Sequence, residues 1–149
     1  MRFFHLHYFL NISSFSLYFF IESIQFFVAL NILTIGLSHF FQPKIWGDFF
    51  QYLHQKGNVG NILNALIALG AGSFIVAFHF VWKWPMILVT LYGVAQLFKG
   101  FLYLMIPSIG LKNIGKVDEK AGKFRWVGLV MTLLGLLLGF HLYKEGILM

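Results

Sequence analysis

The sequence predicts an all-α integral membrane protein, a four-helix bundle with an interfacial amphipathic helix after the first span. Three observations carry this expectation. The chain is 59% hydrophobic and only 11% charged, with a mean hydropathy of +0.79, well outside the composition of soluble domains. Four apolar stretches, at 23–41, 60–82, 84–106 and 126–143, each approach the ~20 residues that cross a ~30 Å hydrocarbon layer as a helix. The charges collect between these stretches rather than within them. No polar segment is long enough to build a soluble core, the longest being 108–125, so the 149 residues form a single membrane domain.

Taken in order, residues 1–21 are aromatic and apolar but interrupted by His5, His7, Asn11, Ser13, Ser14 and Ser16. They are expected to be interfacial or ill-defined, with a cleaved leader or a misassigned start as alternatives. A leader is disfavoured by a single basic residue, Arg2, a long apolar part and no small-residue cleavage site. The first span follows Glu22, carries Gln25, Asn31 and His39, and ends at Gln42-Pro43, because proline disfavours helical geometry at the residue before it. Residues 44–56 place Ile45, Trp46, Phe49, Phe50 and Leu53 on one face, the pattern of a helix lying in the membrane interface.

After a turn at 57–60, the second and third spans read as a helical hairpin with its tip at Trp82-Lys83-Trp84-Pro85. Tryptophans flanking a lysine suit headgroup depth, and proline suits the first turn of a helix. In the second arm Tyr92, Gln96, Lys99 and Tyr103 fall four, three and four apart on one helical face. In the first arm Asn61, Asn64, Ala68, Ala71, Ile75 and His79 form a matching stripe. Reflecting one arm on the other about Lys83 sets Lys99 level with Ile67, about one turn from Asn64. The fourth span carries Gly128, Thr132, Gly135 and Gly139 at spacings of four, three and four. Gly135 and Gly139 form a GxxxG pair that favours close helix packing, within the chain or in a homo-oligomer.

Seven of the Lys and Arg residues lie at 42–59 and 107–125 (Lys44, Lys56, Lys112, Lys116, Lys120, Lys123, Arg125), against Arg2, Lys83 and Lys144 elsewhere outside the spans. The positive-inside rule then puts the first two loops in the cytoplasm. The net charge of +6 fits contact with anionic lipid rather than nucleic acid, since no basic run is interleaved with exposed aromatics. The chain has no cysteine, which removes disulfides, thiolate metal sites and cysteine nucleophiles. No P-loop, GxSxG or HExxH motif occurs, so no catalytic residue is assigned and the balance leans away from an enzyme.

Two polar constellations are candidates for function. Lys99, with Asn64, Tyr103, Gln96 and His39 around it, offers a cationic site for an anionic ligand or lipid headgroup. The preferred alternative is a lysine that snorkels to the interface, bonded to Asn64 or a backbone carbonyl. At the opposite end His79, His141 and Glu22 would lie at similar depth, a set with the chemistry to hold a metal, or haem through the two histidines. Interfacial histidines beside aromatics are ordinary, so no cofactor is expected.

The stretch GLSHFFQPKIWGDFFQYL, residues 36–53, resembles the helix end and following loop of DoxX-like small membrane proteins, which also place a His-Phe pair and a proline after their first span. Beyond residue 60, AFHFVWKWP, LFKG and LYLMIP are more similar to uncharacterised four-span proteins of bacterial inner membranes. The resemblance implies a four-helix bundle in a bacterial inner membrane and assigns no residue a role. Three functional classes stay open, in this order: an accessory or structural membrane component that packs against itself or a partner; a small carrier or ligand-binding protein using Lys99, Asn64 and Tyr103; and a haem- or quinone-linked redox protein using His79 and His141.

Overall fold

The computed structural model describes residues 2–116 and 121–146 and is all-α, with no strand among them. Six helices follow one another: α1 (Arg2–Phe41), α2 (Pro43–Gln55), α3 (Asn58–Phe78), α4 (Ile87–Met105), α5 (Pro107–Gly115) and α6 (Ala121–Lys144). Four stretches, Phe19–Phe41, Asn58–Phe78, Ile87–Met105 and Gly122–Lys144, are long and apolar enough to cross a membrane.

These spans match the expected order, with shifted ends. α1 is continuous from Arg2, so residues 2–21 prolong the first membrane helix instead of forming a separate segment. Neither proline nor glycine interrupts the chain between Arg2 and Gly36, so nothing in the backbone chemistry stops the helix. The hairpin between the second and third spans is not a tight tip at Trp82–Pro85: α3 stops at Phe78, and residues 79–86 form an irregular connection. The segment 107–125 is not all loop either. Ile106 is extended, Pro107 occupies the first turn of α5, and Gly110 and Ile114 turn inward, so a short helix folds where the basic residues suggested a polar loop. Positions 117–120, with Asp118, Glu119 and Lys120, lie outside the described residues.

The helices pack as two pairs. α1 lies along α6 and α3 along α4, whereas α1 and α3 meet at few positions. Both pairs depend on glycine. A Cβ at Gly36 or Gly135 would run into the α6 or α1 backbone respectively, and one at Gly72 or Gly100 would run into the facing backbone of α4 or α3. Lipid offers no hydrophobic drive for helix association, so such close approach supplies the van der Waals contact that holds each pair. Gly135 therefore packs against Leu33 within the chain, while Gly139 faces open space.

Two features join the pairs. Towards the 79–86 connection a shared core of Ile24, Val28, Ile32, Ile75, Val89 and Leu138 draws on all four spans. At the other end α2 lies across the bundle, touching α3, α5 and α6. It is held there by buried Leu53, by the Trp46 indole N–H donating to Ser38 Oγ at 3.0 Å, and by stacking of Phe50 on Phe124 at 5.7 Å. This is the amphipathic helix that the sequence places after the first span. Gly57 supplies the turn into α3, with a φ of 56° that side-chain-bearing residues rarely adopt.

Gly72→Val should lower stability by about 1–3 kcal/mol, the usual cost of overpacking. Gly70→Ala and Gly139→Ala, where a Cβ meets nothing within 4 Å, should not lower it and can raise it by up to about 1 kcal/mol through helix propensity. Unfolding midpoints in mixed micelles would separate the two groups.

Candidate functional site

Polar side chains inside a membrane span need partners, because hydrocarbon supplies none. In this chain the side-chain hydrogen bonds that tie one element to another gather at the two ends of the bundle, and a largely apolar crevice lies between.

At the 79–86 end the centre is His79, which is fully buried. Its backbone leaves the α3 helix, with φ −136° and ψ 96°, and its ring turns inward between the helix pairs. Nε2 lies 3.1 Å from the Gln25 side-chain nitrogen, and Nδ1 lies 3.2 Å from Thr90 Oγ1. The Thr90 hydroxyl also donates to the Val81 carbonyl at 2.9 Å and accepts from the Val81 N–H at 3.1 Å. With its one proton used on Val81, Thr90 can only accept from the ring, so Nδ1 carries the imidazole proton and Nε2 accepts from the Gln25 amide. One threonine hydroxyl thereby satisfies both backbone groups of an irregular residue at the membrane boundary. Gln25 to His79 is the only side-chain hydrogen bond between α1/α6 and α3/α4 among the described residues.

Above Gln25 opens a cavity of about 450 Å³ whose polar wall is Glu22, Gln25, Lys83, Trp84, His141 and Glu145. His79 is not part of that wall; it sits behind Gln25. Of the three residues paired for metal or haem, Glu22 and His141 thus share a cavity, while His79 has both ring nitrogens committed elsewhere. No group of three metal-ligating side chains forms among the described residues.

The constellation around Lys99 is more dispersed than expected. Gly72 faces Leu97 and Gly100 faces Leu69, a register that sets Lys99 level with Gly70, nearly two turns from Asn64. The three-residue slip from the expected register follows from the irregular 79–86 connection, which moves the fold-back point along the chain. Lys99 is half-buried with Nζ 5.6 Å from the Tyr103 ring centroid, one turn nearer the α2/α5 end, the direction in which a snorkelling lysine extends. Gln96 is half-buried and Asn64 is buried, each without a hydrogen bond among the described residues.

His39 takes no part in the Lys99 constellation. It donates Nδ1–H to the Ile35 carbonyl at 2.8 Å and stacks on Trp46 at 4.0 Å, clamping α2 to the end of α1. Tyr103 is a structural hub. Its backbone carbonyl accepts from Asn61 Nδ2 at 2.9 Å and its hydroxyl from Asn113 Nδ2 at 3.0 Å, tying α3 and α5 to the end of α4. Asn61 Oδ1, which has no hydrogen-bond partner, presses on Gly110, where any larger residue would collide with it.

Between the ends, a crevice of about 360 Å³ separates α1 from the α3/α4 pair, lined by Phe27, Asn31, Ile35, Ala71, Phe74 and Tyr92 among others. Sequence reasoning missed Thr90, Asn113 and Glu145. Thr90 stands out only as an isolated hydrogen-bonding residue between apolar neighbours, and Asn113 as one more polar residue beside Lys112; no spacing pairs either with its partners. The chain matches no protein-family model, no curated protein and no solved structure.

Gln25→Leu and His79→Phe should each destabilise the bundle, and a double-mutant cycle between them should return a coupling energy of about 1 kcal/mol, typical of side-chain hydrogen bonds between membrane helices. Additive effects would mean that the pair is not bonded.

Proposed function

We propose that this four-span membrane protein is a non-enzymatic accessory or structural component, working through packing against a membrane partner or a second copy of itself. The carrying observation is where its polar groups go. Gln25, His79, Thr90, Asn61, Tyr103, Asn113, Ser38 and Trp46 all serve in hydrogen bonds that fasten one helix or connection to another. Catalysts and carriers instead leave most such groups convergent on an open site, whereas here the one open polar set, at the 79–86 end, lies at headgroup depth. Large apolar side chains on the α4 and α6 flanks, such as Phe98, Phe101, Val130 and Leu133, are exposed and offer surface to lipid or to a partner, and Gly139 gives room for close approach by another helix.

A second reading, a carrier or ligand-binding protein, draws its support from the mid-depth crevice more than from Lys99, whose ammonium lies against Tyr103 without a convergent set of donors. A haem-linked role would require His79 to give up the hydrogen bond that its Nε2 accepts from Gln25, leaving Nδ1–H on Thr90. We also propose that α2 and α5, with Lys44, Lys56, Lys112 and Lys116, face the cytoplasm and the anionic headgroups of a bacterial inner membrane. The positive-inside bias supports this orientation.

Native mass spectrometry of the protein carried in lipid nanodiscs from its own membrane tests the assignment. An accessory role predicts a discrete mass for a stoichiometric protein partner or a second copy. A bare monomer would contradict it, a small anionic or apolar adduct would select the ligand-binding reading, and a haem mass the redox one.

A further inference from the structure

The cavity at the 79–86 end is unusual in gathering charge of both signs in a chain that is otherwise poor in charge. Glu22 and Glu145, two of the five acidic residues, face it together with Lys83, His141, the Trp84 indole and the Gln25 amide. None of these ionisable groups forms an ion pair with another described residue, so the charges are not spent on each other. We propose that this cavity binds the headgroup of a zwitterionic aminophospholipid, a phosphodiester bearing a primary ammonium group.

Position, size and chemistry converge on that ligand. The cavity lies where the spans end: Glu22 is three residues into the Phe19–Phe41 span, Glu145 follows the last residue of the Gly122–Lys144 span, and Lys83 and Trp84 belong to the connection after Asn58–Phe78. This is headgroup depth, where phosphates and ammonium groups of lipids reside. A volume of about 450 Å³ falls within the range of small-molecule sites. Ile21, Val81 and Met86 form its apolar wall, against which the glycerol and first chain carbons would lie.

The polar lining distinguishes among headgroups. Two carboxylates against one ammonium disfavour an anionic lipid. A primary ammonium has three N–H donors, and residues lining the cavity carry three acceptors to meet them. Two are the carboxylates of Glu22 and Glu145. The third is the Gln25 carbonyl oxygen, on a side chain only 7% exposed whose nitrogen is held on His79 and whose oxygen has no partner among the described residues. A quaternary ammonium has no N–H to offer them. Lys83 and the Trp84 indole N–H supply donors for the phosphate.

The full-length protein, reconstituted in nanodiscs containing equal parts of phosphatidylethanolamine, phosphatidylcholine and phosphatidylglycerol, would be released into the gas phase and its retained lipids identified by native mass spectrometry. One phosphatidylethanolamine per chain should be retained in preference to phosphatidylcholine by about tenfold, the ratio expected from a single charge-assisted hydrogen bond. Glu22→Gln with Glu145→Gln should erase that preference. Lys83→Met should weaken retention of all phosphate-bearing lipids while keeping the order among them, and it stands in as the test if the double variant fails to fold by circular dichroism. Equal retention of the three lipids, preference for phosphatidylglycerol, or a preference unchanged in the variants would overturn the proposal.

Discussion

The imidazole of His79 accepts a hydrogen bond from Gln25 on α1 and donates one to Thr90 on α4, which in turn closes both backbone groups of Val81. Much of the bundle's form at that end follows from these contacts. A chain leaving a helix at the membrane boundary exposes backbone donors and acceptors that lipid cannot satisfy. Here a side-chain hydroxyl satisfies both backbone groups of Val81, which helps the connection 79–86 run without helical geometry and lets the ring of His79 enter the gap between the helix pairs. The same irregular connection sets the register of α3 on α4, and through it the neighbours of Lys99.

Away from that network, the bundle is two glycine-packed helix pairs standing side by side. Glycine gives each pair its close backbone contact, and nothing comparable operates between α1 and α3. The pairs are joined by the shared core beside His79 and by α2 lying across the opposite end, where His39 and Trp46 stack and Trp46 bonds Ser38. Fastening at the ends leaves the middle parted, and the crevice lined by Asn31 and Tyr92 is the result. The amphoteric cavity above Gln25 has the same origin, since the connection that carries Lys83 and Trp84 folds over the ends of α1 and α6.

Much of this was legible in the sequence, for identifiable reasons. Span number and order follow from apolar length, and α2 from the spacing of Ile45, Trp46, Phe49, Phe50 and Leu53, because both are local properties of helices in lipid. The glycine stripe of the fourth span also reads directly as a packing face, although only the structure shows Gly135 facing Leu33 and Gly139 facing nothing. What could not be read was non-local. Register depends on where α3 stops, and that is decided by a histidine whose partners lie 54 residues before it and 11 after it. Nothing in the spacing of His39 separates it from the Lys99 set, whereas in the fold its ring is taken by Trp46 from the next helix. α5 stayed hidden because its lysines suggested a loop, although Pro107 and the spacing of Ile106, Ile109, Gly110, Asn113 and Ile114 were signals for it.

Across the gap, His79 fastens one helix pair to the other. Because the chain has no cysteine, two introduced cysteines can carry spin labels without background. The most direct measurement is the distance distribution by double electron–electron resonance between labels at Phe26 on α1 and Leu91 on α4, with and without His79→Ala. A second pair at Phe26 and Leu137 on α6 reports within one helix pair. Loss of His79 should broaden the first distribution and leave the second narrow. A first distribution as narrow in His79→Ala as in the parent protein would contradict the account.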